Sequence, residues 1–173
     1  MNGKEFYFQD EMRFGTRTAL GRVWTARGAR PLGEQRIGYE FGYLSVAVNP
    51  LRGEIFLLLL PDMRVESFQA FLSEFEKFLR RPATLITDGA AAHCSSRLKF
   101  GERLELERLP PYSPELNPVE RFFKELRATL KNRVFDTYEQ VEAAVIQAVK
   151  PYLKDKEKVK RLTCYGWLLN APT

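Results

Sequence analysis

Three carboxylates are set apart by their surroundings in the chain. Glu120 follows a stretch that holds Pro110, Pro111, Pro114 and Pro118. Four prolines so close together fix φ and remove backbone donors, so residues 110–118 form neither helix nor central strand. Asn117 suits a helix N-cap and Pro118 the first helical position. Val119, Phe122, Phe123, Leu126 and Leu130 then recur at helical spacing and make one apolar face. Glu120, Lys124, Arg127 and Lys131 share a different face. A rigid loop thus delivers one carboxylate to the first turn of a helix, with cations stacked behind it. Asp10 closes one apolar strand and Asp88 closes another. One reading of Glu120 is a capping-box residue that reaches back to the N–H of Asn117. The other is chemical. Three carboxylates converging on one site repel each other unless a cation is present. Hard oxygen donors, with no Cys or His set beside them, select Mg2+ or Mn2+.

Three blocks carry a resemblance. They are Phe8-Gln9-Asp10-Glu11-Met12-Arg13-Phe14-Gly15, then Leu85-Ile86-Thr87-Asp88-Gly89 with His93, then Pro111-Tyr112-Ser113-Pro114-Glu115-Leu116-Asn117-Pro118-Val119-Glu120. In this order they resemble the blocks of the DDE catalytic domain of IS630-type transposases, in the Tc1/mariner superfamily. The third block is the most specific, and the resemblance covers nearly the whole chain. It implies that Asp10, Asp88 and Glu120 are the catalytic, metal-binding carboxylates, with Asp10 bridging two Mg2+ or Mn2+ ions, Asp88 on one and Glu120 on the other. Two such ions can activate a water or a 3′-hydroxyl and stabilise the leaving oxygen. That chemistry is DNA strand cleavage and strand transfer at transposon ends. The chain departs from the family pattern in a shorter interval between Asp88 and Glu120, in Gly89 where Asn is frequent, and in Phe123 where Trp is common. Full-length relatives also carry an N-terminal helix-turn-helix region. The expectation is therefore one catalytic domain over residues 1–173 without that region: the second reading frame of a split element, an isolated fragment or a remnant.

Other residues have two readings each. Glu11 adjoins Asp10 and should point to the opposite side of the strand or into the turn, in a structural or supporting role. His93, the sole histidine, is either an active-site neighbour or a satisfied loop residue. Asn117 supports the loop. Lys124, Arg127 and Lys131 are expected along a DNA backbone. Arg13 heads an arginine series with Arg17, Arg22, Arg27 and Arg30, which is either a solvated surface or a phosphate-binding rim. Trp24 and Trp167 read as core or interface. Two other functions stay open: a non-catalytic module that binds DNA or a partner transposase, and a generic ribonuclease-H-fold nuclease.

Composition sets the bounds. The 173 residues are enough for one domain with a core, 45% hydrophobic and 28% charged. The net charge of +5 permits a polyanionic partner such as DNA. Cys94 and Cys164 lack the spacing of a zinc site. No apolar run is long enough to span a membrane, and no signal-peptide core follows Met1. A cytoplasmic, nucleoid-associated protein is expected, acting as a homodimer or larger assembly on DNA, alone or with a separate helix-turn-helix polypeptide.

The elements that must position the carboxylates follow from periodicity. Strands are expected over residues 5–10, 36–48 and 54–60, the third apolar throughout and so buried on both faces. Short connections make these three antiparallel. A helix capped by Asp62 carries Val65, Phe68, Phe71, Leu72, Phe75, Phe78 and Leu79 on one face. Residues 83–87 form a strand that enters a parallel pair through a crossover. One helical turn is expected within residues 94–100 and a fifth strand over 104–109. After the Glu120 helix, Asp136 or Thr137 caps another. The order is that of an α/β, ribonuclease-H-like fold: a five-stranded mixed sheet, three antiparallel strands and then two parallel, with flanking helices.

Overall fold

In the computed structural model, which describes residues 4–30 and 32–169, a five-stranded mixed sheet lies between two helical layers. The strands are β1 (Glu5–Gly15), β2 (Phe41–Asn49), β3 (Glu54–Leu60), β4 (Ala83–Thr87) and β5 (Leu104–Arg108). Their order across the sheet is β3-β2-β1-β4-β5. β1 and β2 pair antiparallel, as do β2 and β3, whereas β4 is parallel to both β1 and β5. The mixed topology is the one expected. The parallel partner of β4 is β1, not β3, so the connection through α1 (Val65–Phe78) passes across the middle of the sheet.

Strand alternation decides which helix each side chain meets. Tyr7 faces α1, where Phe68, Phe71, Leu72 and Phe75 close a core over Ala47, Leu60, Leu85 and Leu104. Phe8, Met12 and Phe14 face the other way, with Leu44, Val46 and Val48. They pack under α2 (Val119–Leu130), α3 (Tyr138–Lys154) and α4 (Lys156–Thr163), through Phe122, Phe123, Leu126, Val141, Val145 and Val159. Each such side chain, taken fully out of water, contributes roughly 1.5–3 kcal/mol. A short helix, α5, covers Gly166–Leu169.

Several expectations are corrected. β1 runs five residues past Asp10, which sits in mid-strand rather than at its end. β2 begins at Phe41 rather than Arg36. β3 packs on both faces, Ile55, Leu57 and Leu59 against one core and Phe56, Leu58 and Leu60 against the other, but as an edge strand it is mostly half-buried, because the sheet margin lies open to water. Arg64, not Asp62, occupies the N-cap of α1; the Asp62 carboxylate accepts from Arg64 N and Ser67 Oγ. Residues 94–100 hold turns and no helix. Trp24 is fully exposed, in no core, within the irregular segment between β1 and β2. Thr137 does cap α3, accepting from Gln140 N. Cys94 and Cys164 are free thiols.

Candidate active site

Two residues beyond the last β1–β4 ladder pair, Phe8 with Ile86, stand Asp10 on β1 and Asp88 just after β4. Parallel neighbours in register project alike, so both carboxylates leave the same side of the sheet. Glu120 reaches that side from the first turn of α2. Its placement depends on Asn117, whose Nδ2 donates to Gln9 O at 3.0 Å and whose Oδ1 accepts from Val119 N at 3.1 Å. One buried amide thus caps the helix and ties it to the backbone beside Asp10. The capping-box reading of Glu120 is not what forms, since Asn117 N donates to Pro114 O.

Asp10, Asp88 and Glu120 line one cleft of about 650 Å³, together with Arg108, Asn117 and the proline loop. Burial pushes the Asp10 carboxyl up to about 7, against the opposing N–H of Glu11 and with the nearby charges of Glu120, Glu11 and Asp88 adding to the rise. Each of the other two carboxylates is drawn to its own partner. Glu120 Oε2 lies 3.3 Å from Arg127 Nη1. Asp88 Oδ1 accepts from Ala90 N at 2.9 Å and meets His93 Nδ1 at 2.6 Å. Among the described residues no three acidic, His or Cys side chains approach closely enough to hold one ion as they stand. The three share a cleft without touching, as like charges with separate counter-charges must.

His93 is buried, 4.2 Å from the Phe68 ring. Its other nitrogen, Nε2, lies 3.2 Å from Glu11 Oε1, so the imidazole joins Asp88 to a carboxylate on the α1 side of the sheet. Burial opposes the imidazolium, but the hydrogen bonds and charges of Glu11 and Asp88 outweigh it and hold His93 above its ordinary value. Glu11 Oε1 also accepts from Gln9 Nε2 and Ser45 Oγ. Gln9 Oε1 and Glu11 Oε2 are buried without a partner among the described residues. Glu11 therefore points away from Asp10, as strand alternation requires.

The cations divide. Lys124 is exposed on α2 and Lys131 caps its C-terminus. Arg13 lies over the Phe41 ring at 3.7 Å. Arg13, Arg17, Arg127, Lys131 and Arg133 line a second cleft, of about 460 Å³, whose one acidic wall residue among the described residues is Glu40. The sequence alone did not bring Arg133 or Tyr39 to this cleft. Neither falls in a motif, and their meeting depends on the path of the chain between β1 and β2.

Fold and site together define a ribonuclease-H-like domain with an acidic cleft at the middle of β1, the end of β4 and the start of α2. Residues 5–142 match the family model described as DDE superfamily endonuclease, and the chain belongs to that family. It is similar to the uncharacterized protein y4pE/y4sA of Sinorhizobium fredii, 36% identical over 130 residues that cover 73% of this chain and 96% of the relative. Among solved structures it resembles the Mos1 transposase paired-end complex with left transposon end, with a TM-score of 0.63 and 16% identity, over 95% of this chain and 57% of that one. It also resembles the Mos1 mariner paired end complex with Mn, with a TM-score of 0.64 and 17% identity, over 91% of this chain and 53% of that one. The chain thus spans little more than half the length of the transposases whose fold it shares. No helix among the described residues is long and apolar enough to cross a membrane.

Proposed function

We propose that this chain is the catalytic unit of a DNA transposase of the Tc1/mariner kind, cutting DNA strands and joining the 3′ ends to new sites. The observation that carries the reading is the meeting of Asp10, Asp88 and Glu120 in one cleft, from three elements far apart in sequence. The donor set fits a hard divalent cation: three carboxylates, one of them half-buried and pushed up to about 7 by that burial and by its acidic neighbours. Asp10, Asp88 and Glu120 would hold Mg2+ or Mn2+, two ions in all, and the bound ions would supply an activated water or 3′-hydroxyl and charge stabilisation at the leaving oxygen.

The chain's own residues do the rest. Asn117 sets the distance between α2 and β1. His93 and Glu11 fix the Asp88 carboxylate from behind. Arg127 neutralises Glu120 until a cation takes its place, and is then available to a phosphate. Lys124, Arg127, Lys131 and Arg13 guide the backbone, and the basic cleft extends this path. End recognition falls to a separate helix-turn-helix unit, and two or more copies act on one DNA, in the cytoplasm at the nucleoid.

The test is a joining assay at low salt, with a short duplex carrying a free 3′ end, a plasmid target and Mn2+. Wild-type chain should give both nicked and joined products, and Asp10→Asn neither. Nicks without joined product would make the chain a plain nuclease, and neither product from wild type would leave a binding module.

A further inference from the structure

Tyr112 has a geometry that the carboxylates do not explain. Its φ is 59°, in the left-handed region that non-glycine residues seldom enter. Holding such a residue there costs on the order of 1 kcal/mol. The residue is 101% exposed, so among the described residues nothing packs against its ring. Yet the backbone carrying it is stiff. Pro110 and Pro111 precede it, and Pro114, one residue further on, narrows the conformations open to Ser113, which sits at φ −121° and ψ 55°. Ser113 Oγ also donates to Pro111 O at 3.3 Å. The residue stands on the wall of the cleft that holds Asp10, Asp88 and Glu120.

A strained backbone that presents a bare aromatic ring at the rim of an acidic cleft calls for a planar apolar ligand. We propose that Tyr112 is a stacking platform for an unpaired nucleobase next to the phosphate under attack. This deepens the nuclease reading above and rests on it. A strand entering the cleft must bring one phosphate to the carboxylates, and a paired, stacked duplex hinders that approach. A base turned out of the stack needs a π-face, and the Tyr112 ring offers one at the rim. The flanking prolines fix the backbone that carries the ring, so only the side chain remains to be ordered when the base arrives. Stacking accepts any base, which suits a residue that holds the strand while other parts choose the sequence. The phenol hydroxyl is not required.

The test uses the full chain and a nicked duplex with 2-aminopurine at successive positions beside the nick, in Mg2+. Wild type should quench the fluorescence at one position, and Tyr112→Phe should do the same. Tyr112→Ala should lose the quenching and bind that duplex about 5- to 100-fold more weakly. Its melting temperature should stay at or above that of wild type. Undiminished quenching and affinity in Tyr112→Ala would overturn the proposal. A loss shared by Tyr112→Phe would assign a hydroxyl contact instead, and a matching drop in melting temperature would assign a structural role. Asp10→Asn separates the two readings: if it still cuts, the carboxylate assignment fails; if it is inert while Tyr112→Ala behaves as wild type, only the stacking platform fails. A wild-type chain that does not bind the duplex at all would sink both.

Discussion

Asp10 is the residue on which charge is most concentrated. Its carboxyl is mostly buried beside Glu11, Asp88 and Glu120, and burial, reinforced by those charges, lifts it to about 7. An acid raised in the folded state binds its proton more tightly there than in the unfolded chain. The stability it contributes is complete below its ordinary value near 4 and is lost as pH rises through about 7, roughly 4 kcal/mol in all. His93, also raised, acts in the same direction: its contribution is present below the ordinary histidine value and fades as pH climbs through the raised one. Metal-free protein should therefore melt at a higher temperature at pH 5.5 than at pH 8, and Asp10→Asn should flatten the difference. Mg2+ should reverse the trend, because it needs the ionised carboxylate. Its stabilisation should be largest at pH 8 and small at pH 5.5, and Asp88→Asn should weaken it. Thermal melts with EDTA or millimolar Mg2+ check both signs.

At the scale of the element, α2 is the part that must be right. Its apolar face buries Val119, Phe122, Phe123, Leu126 and Leu130, so the helix is anchored along its length. Only its first turn reaches the cleft, and Asn117 sets where that turn begins. Asn117→Ala removes the cap and the tie to Gln9 O and should cost about 1–3 kcal/mol. Asn117→Asp keeps the cap oxygen but loses the amide donor. It should melt closer to wild type while cutting DNA as poorly as the alanine variant; wild-type cutting would mean that the tie to β1 is dispensable. Much of this element was legible beforehand. Period 3.6 in Val119 to Leu130 and the prolines before it define α2, and the aromatic spacing from Val65 defines α1. Asp10-Glu11 breaks the apolar run of β1, so periodicity alone ends the strand five residues early. In three dimensions that polar pair is absorbed: Asp10 opens into the cleft, while Glu11 finds Gln9, Ser45 and His93 on the other side. The partners of the carboxylates were hidden for a similar reason. Arg127 lies two turns from Glu120, and Glu11 meets His93 across 82 positions of sequence. Such pairings come from packing and leave no local pattern.

At the scale of the molecule, the acidic cleft and the basic cleft meet at Arg127, which pairs with Glu120 in one and lines the other. A strand laid across both would run from the carboxylates past the cations of the basic cleft. Each lysine or arginine that contacts a phosphate releases counterions, and its loss should flatten the log–log salt dependence of binding by about one unit. Replacing Lys124, Arg127 and Lys131 by alanine should lower the slope by two to three such units, weaken binding on all sequences alike, and leave cleavage recoverable at high DNA concentration. An unchanged slope would put the DNA path elsewhere. The net charge of +5 made a polyanion plausible from the start, but only the fold brings Arg13, Arg17, Lys131 and Arg133 to one wall.

The most direct measurement separates binding from chemistry at Glu120. Glu120→Gln keeps the size of the side chain and removes its charge. On a pre-nicked or short duplex at low salt with Mn2+, this variant should bind DNA as tightly as wild type or slightly more so, because Arg127 is released from its carboxylate. Its metal-dependent nicking should fall below detection. Nicking at the wild-type rate would show that Glu120 only begins a helix, and the three-carboxylate centre would then be wrong.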